Sequence, residues 1–340
     1  GASTCSRRGR IRASQWGGIF QVGASLTLVH SVVAHNVCTC DGCGIYVASG
    51  SLKSYDSTIS YNSAAIDGGG VHAYYYVGPL TIAGTTLSGN SAGFDGGGIY
   101  SGFQTGVYVT NSTLSGNIAG SEGGGLFVGF WETALLRNST IAGNAATTGG
   151  GIGGTYPICG PYGSCSQATG TIIAANQGGN CDDVGFEGAL TGNMDDDGSC
   201  PAGPISPGVD FDATLADNGG ATRTHALLSG SDAIDNAGNC GLAADQRGFA
   251  RDALCDSGSV EFGAAPFGGA PIGTRVLRVT CKNTTTLQTV VIQRPAGAWD
   301  CESAGLVVAP GDGVRLDISG RPSAEDVGGT AIGASTIAPM

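Results

Sequence analysis

The chain has 340 residues, 62 of them glycine, with 12% charged and 41% hydrophobic residues, which excludes both a disordered chain and an ordinary charged globule. A formal net charge of -12 sets it against nucleic acid and anionic membrane, both of which would repel it. No apolar run approaches the roughly 18 residues of a membrane span. The opening Gly-Ala-Ser-Thr-Cys lacks the apolar core of a secretion signal, so the chain reads as a processed form.

Arg7, Arg8, Arg10 and Arg12 give the first twelve residues a charge of +4 with no acid, leaving -16 on the remainder. This polarity favours a basic end meeting the acidic body of a second copy, and a heterologous contact that does not close makes a filament. A head-to-tail homo-oligomer is the expected partner, with the Gly/Ala/Thr-rich tail from Arg321 to Met340 able to add as a strand to an open edge.

From the start to about residue 200 a motif returns: an Asn in a Ser/Thr-rich run, then an acid and a glycine cluster. The asparagines are Asn36, Asn62, Asn90, Asn117, Asn144 and Asn176, at steps of 26, 28, 27, 27 and 32. A period in this range means a solenoid, whose repeats bury their apolar faces only by stacking. Aligned on the asparagines, Val33, Ile59, Leu87, Leu114, Ile141 and Ile173 form one internal column. Aligned on the glycines, Ile19, Ile45, Val71, Ile99, Leu126 and Ile152 form another. Apolar and small polar residues alternate around both, the signature of strands, with no sustained helical period. The predicted fold is all-β, a right-handed parallel β-helix. The asparagines are expected to form an amide ladder and the glycines to serve turns or close backbone approach.

Asp41, Asp67, Asp95 and Glu122 precede the glycine clusters at steps of 26, 28 and 27 and should form an acidic column. Stacked carboxylates must spread into water, share protons or hold a cation. β-Helices commonly host pectate-lyase-like and polygalacturonase-like enzymes, and such a column could present an acid/base pair at glycosidase spacing. Of the local clusters of those enzymes, Asp182-Asp183 alone resembles their Asp pair, and no basic residue accompanies the acids. No catalytic residue is assigned. Solvated carboxylates accepting backbone N–H bonds are the plainer reading. The residue after each internal aliphatic should point outward, which places Phe20, Tyr46, His72, Tyr100 and Phe127 in a ring-bearing stripe. It would either stabilise neighbouring rungs by stacking or dock a glycan or protein.

A Pro/Cys-rich excursion from Tyr156 to Cys165 lengthens one rung. Twelve cysteines in close sequence pairs suggest oxidation, an extracytoplasmic signature. The pairs are Cys159 with Cys165, Cys181 with Cys200, Cys240 with Cys255, and Cys281 with Cys301. The pairing of Cys5, Cys38, Cys40 and Cys43 stays open. Asn193, Asp195 and Asp197 alternate before Gly198 as in the first half of a calcium loop, without the closing acid. No other cofactor is implied, and a disulfide-anchored acidic turn is the alternative.

Residues 201–265 are not repetitive and are placed to cap the open end of the coil. Residues 266–340 follow a Gly/Ala/Pro linker, and alternating segments such as 275–280, 287–292, 306–308 and 314–318 predict a small β-sandwich-like domain. The repeated signals GGG-[IVL] and [ST]-x-[IL]-x-x-N resemble the GGA[ILV] and FxxN repeats of the polymorphic outer-membrane protein family, with an aliphatic in place of Phe. The NGGxTxTHAL, SxAID, DQRG and EFG elements at 218–263 are similar to the choice-of-anchor domain that closes many exported bacterial β-helix proteins. These resemblances imply export, an extracellular or cell-surface location and a capped β-helix. The expected function is a structural or adhesive module, self-assembling into filaments. The alternative is a polysaccharide-binding or polysaccharide-cleaving protein.

Overall fold

The computed structural model describes residues 17–264, apart from 24, 76, 104, 131, 157–165, 188–190, 202–205 and 207, together with three strands between 278 and 319. The chain divides into two compact units, Gly1–Phe267 and Gly268–Met340. The first is an all-β parallel β-solenoid of about six turns.

Each turn contributes short strands to parallel sheets that run the length of the coil. The first sheet stacks seven strands, Ile19–Gln21, Ile45–Val47, Val71–Tyr75, Ile99–Phe103, Leu126–Val128, Ile152–Tyr156 and Cys181–Val184. The second stacks six, from Ser25–Val29 to Gln167–Thr169, and the third seven, from Val32–Ala34 to Met194–Asp195. A fourth is made of two-residue strands such as Ser63–Ala64 and Ser91–Ala92. Pairing is in register, so Ile45, Val71, Ile99 and Leu126 stack on one another, as do Ile59, Leu87, Leu114 and Ile141. All eight are fully buried. Both expected columns therefore line the interior, and a third joins them on the second sheet: Leu26, Leu52, Leu80, Val107 and Ala134, neighboured by Leu28, Ile82, Val109 and Leu136.

The asparagines form the expected ladder. Each side-chain NH2 donates to the Oδ1 of the next, at 2.8 Å from Asn36 to Asn62, 2.9 Å from Asn62 to Asn90, 2.9 Å from Asn90 to Asn117 and 2.9 Å from Asn117 to Asn144. Its second donation goes to a main-chain carbonyl, as from Asn90 to Ile59 O at 2.9 Å, while each Oδ1 also accepts the backbone N–H of the Asn before it. The ladder thus points one way, and its last amide needs a pure acceptor. Asn180 extends the column beyond Asn176 and donates to Asp195 and Asp196, both at 2.7 Å. A second polar column lies alongside, where Ser31, Ser57, Thr85 and Ser112 give their N–H groups to the hydroxyls one rung on.

The glycines divide into the two expected roles. At Gly98 an added Cβ would come within 2.4 Å of Gly125 O and 3.2 Å of the Asn117 side chain, so close backbone approach excludes any side chain. At Gly68 the φ of 65° requires the left-handed region.

The segment from Val209 to Gly263, expected to cap the coil, lies along the outer face of the third sheet as far as its last strand, Met194–Asp195. Thr222 and Arg223 reach the turn at Gly84 and Thr86, Gln246 bonds Thr86 and Thr113, Ser259 bonds Thr113 and Thr140, and Ser257 reaches Gly192 O. Val209, Leu227, Ala233 and Val260 pack on Ile172, Ala174 and Met194 of that face. The outer columns explain the placement, because they offer hydroxyls and apolar area that this segment alone covers among the described residues. Arg251 is clasped within it, bonding Glu261 at 3.0 Å, Asn111 and Gly258 O.

In the second unit, the strands Thr289–Gln293, Arg278–Asn283 and Val314–Ser319 form an antiparallel sheet in that order. The segment predicted at 306–308 lies outside the described residues.

Replacing Asn90 with Ala removes four bonds of the ladder and strands the buried Asn62 N–H and NH2 donors on the rung before it. We expect a loss of about 3 kcal/mol in urea unfolding. Asn36→Ala, at the half-buried start of the ladder, should cost distinctly less.

Candidate functional site

The acids and rings of the sequence repeat meet on the outer face of the first sheet. Each acid ends a turn and is followed by a glycine of positive φ, at Gly42, Gly68, Gly96 and Gly123. That glycine folds the backbone over the Cβ of the ring residue: a Cβ on Gly68 would come within 2.5 Å of His72 Cβ, and one on Gly96 within 2.7 Å of Tyr100 Cβ. The carboxylates are tied rung to rung. Asp41 Oδ1 accepts the Asp67 N–H at 3.1 Å, Asp67 Oδ1 the Asp95 N–H at 2.9 Å, and Asp95 Oδ1 the Glu122 N–H at 3.1 Å. The acidic column exists, half-buried, and it makes the backbone bonds of the plainer reading.

Burial raises all four carboxyls above their ordinary values, and the Asp67 carboxyl is pushed up to about 6, with the charges of Asp95 and Asp41 adding to burial. Burial and the Asp41 charge push the Tyr46 hydroxyl up to about 12, and burial with neighbouring acids raises that of Tyr100.

Phe20, Tyr46, His72, Tyr100 and Phe127 form one column as expected, with centroids 5.3, 4.8, 4.7 and 5.0 Å apart and nearly parallel planes. Their faces are occupied by one another. His72 and Phe127 are 2% and 3% exposed, although both point to the outer side of the sheet. Burial holds the His72 imidazole neutral, its pKa lowered to about 3.

A second ring group, missed in the sequence, borders the first. Strands Val71–Tyr75 and Ile99–Phe103 extend past their neighbours, and Tyr75 pairs in register with Phe103 at a ring separation of 5.6 Å. Phe130 follows at the same step. Tyr74, Tyr75 and Phe130 are 40%, 50% and 42% exposed, and together with half-buried Phe103 they make an aromatic ledge along the coil. Steps of 28 and 27 from Tyr75 to Phe103 to Phe130 match the repeat and were the available signal.

Behind this ledge, Glu132 is buried inside the coil and accepts the Thr105 N–H and, at 3.2 Å, the Ser101 hydroxyl. Burial pushes its carboxyl up to about 8, against these two bonds, which lower it.

Ser115 Oγ lies 2.8 Å from His225 Nε2, and His225 Nδ1 lies 2.7 Å from Asp212 O. Nδ1–H donates to the carbonyl, so Nε2 of the neutral ring accepts from the Ser115 hydroxyl. Both residues are buried, and the pair clasps the flanking segment to the third sheet. The calcium candidates take part in the protein's own hydrogen bonds. Asn193 Oδ1 accepts the Thr171 N–H and its NH2 donates to Ala168 O, while Asp195 and Asp197 accept from Asn180, Cys200 and Ser199 around the closing turn of the coil.

Cys181–Cys200 and Cys240–Cys255 are disulfides as expected, and Cys38–Cys43 is a third. Cys40 is also disulfide-bonded. These bonds indicate an oxidising, extracytoplasmic environment. Cys5, Cys159, Cys165 and Cys301, the side chain of Cys281, the four N-terminal arginines and the tail from Arg321 lie outside the described residues. Among the described residues no helix is long and apolar enough to cross a membrane. No family model, curated protein or solved structure matches the chain.

Two outcomes follow. The unfolded-state carboxyl of Glu132 titrates near its ordinary 4.5 and the folded one near 8, so the folded state holds the extra proton between these values and loses stability as pH rises through them. Glu132→Gln should therefore flatten the decline of melting temperature over that window, and melt about 3 °C or more above the parent at alkaline pH. Gly68→Ala should cost about 2 kcal/mol by chemical denaturation, from the left-handed strain and the contact with His72.

Proposed function

We propose that this chain is an exported, cell-surface or extracellular adhesive module, a right-handed solenoid that binds carbohydrate along its aromatic ledge. The observation that carries this reading is the ledge of exposed Tyr74, Tyr75 and Phe130 with half-buried Phe103, in which Tyr75 and Phe103 are held at rung spacing on paired backbone. Such rings cover the apolar faces of pyranoses, and a rigid row of them meets successive sugars at little entropic cost. The adjoining acidic column and the net charge of -12 favour neutral or amino sugars over polyuronates. The three disulfides support export, and so does the resemblance of the repeats and the flanking segment to those of exported bacterial β-helix proteins. A glycan array probed with the full chain tests the reading. The triple variant Tyr75→Ala, Phe103→Ala, Phe130→Ala should lose binding about tenfold or more at an almost unchanged melting temperature. Absence of any glycan binding, undiminished binding by the variant, or cleavage of a bound polysaccharide would each defeat it.

The first rung favours a second reading, the head-to-tail polymer. Val22, Val29, Val32 and Val37 are 54%, 51%, 46% and 69% exposed there, with Val29, Val32 and Val37 on the outward side of their strands, apolar area suited to contact with a second copy. Sedimentation should show polymers that shorten when Val32 and Val37 are both changed to Asp; a monomer at high concentration and low salt would contradict this.

A further inference from the structure

We propose that Asp41, Asp67 and His72 hold one divalent transition-metal ion on the outer face of the first sheet, bridging its second and third rungs. One oxygen from each carboxylate and a ring nitrogen of His72 lie within 4.8 Å of one another. The acids alone would not make a site, since turn carboxylates are served by water and by the backbone N–H groups they accept. His72 is the independent feature. It is 2% exposed, and its Nδ1 is buried without a hydrogen-bond partner, a condition native structures avoid.

The surroundings fix the donors. Tyr46 and Tyr100 sandwich the imidazole at interplanar angles of 14° and 1°, so its in-plane lone pairs are held in a constant direction. The backbone N–H groups of Asp67 and Asp95 anchor Oδ1 of Asp41 and of Asp67, which leaves the second oxygen of each carboxylate for an ion. Hydrogen-bonded carboxylates and a packed imidazole are the support that metal ligands need. Donors on a tetrahedral ion with bonds of about 2.1 Å stand roughly 3.4 Å apart, a closure within the reach of two aspartate side chains.

The chemistry of the set selects the ion. A neutral imidazole suits zinc, copper, iron or nickel, and calcium prefers oxygen alone. Three protein donors leave a position open to solvent. The site is single because the ring column offers a nitrogen at the third rung alone; its other members are Phe20, Tyr46, Tyr100 and Phe127.

Zinc chloride titrated calorimetrically into the full chain, after dialysis against chelator, should give about one ion per chain, and cobalt chloride should add visible d–d absorption and quench tyrosine fluorescence. His72→Phe keeps the ring stack and should abolish both signals while folding normally without metal. Asp41→Asn with Asp67→Asn should do the same and carries the test if the Phe variant does not fold. No stoichiometric zinc binding by the parent chain, or binding that survives in either folded variant, would overturn the site.

Discussion

The asparagine ladder is the constraint on which the rest depends. A buried primary amide has two donors and a carbonyl to satisfy, and here each is met by the same residue one rung away or by the backbone beside it. This works while every turn returns the chain to the same place. The ladder therefore couples the length of each turn to the register of all the sheets, and the hydrophobic columns stack because the amides do. Its direction sets the end of the coil as well, since the final amide must be met by groups that only accept. Asp195 and Asp196 meet it.

The outer faces follow from the same repetition. Stacking puts like on like, which is favourable for rings and tolerable for acids whose oxygens find N–H groups on the next rung. On the third sheet it lines up Thr86, Thr113 and Thr140, whose hydroxyls sit beside apolar Ile172. A polar-apolar face of this kind is poorly served by water alone, and the flanking segment covers it with Gln246, Ser259 and His225. Of the residues that carried the resemblance in the sequence, Thr222, His225 and Gln246 bind this segment to the coil, while Asp245 and Glu261 bond within the segment. The aromatic ledge stays outside that cover, which is why the functional reading centres on it.

Much of this was legible in the sequence where a residue type repeats at a marked position. Asn90 and Asn117, or Gly98 and Gly125, announce the period, and the aliphatics counted from them are buried. The column of Leu52, Leu80, Val107 and Ala134 was not, because no marker accompanies it and its members change size from rung to rung. Nor was the burial of His72, since alternation says which side of a sheet a residue faces and nothing about a glycine turn folding over it. The flank position of residues 209–263 was hidden because Thr86 and Thr113 look like ordinary strand residues. Their hydroxyl partners lie 133 residues or more away along the chain, as with Thr113 and Gln246.

The side-chain amide protons of the ladder give the most direct test. Asn side-chain NH2 groups in contact with water exchange quickly. After transfer of labelled protein into heavy water, the NH2 signals of Asn62, Asn90, Asn117 and Asn144 should persist long after that of exposed Asn239 has gone, and should decay together, as one cooperative unit. Exchange of these four at the rate of Asn239, or at four unrelated rates, would contradict a continuous ladder and the register that rests on it.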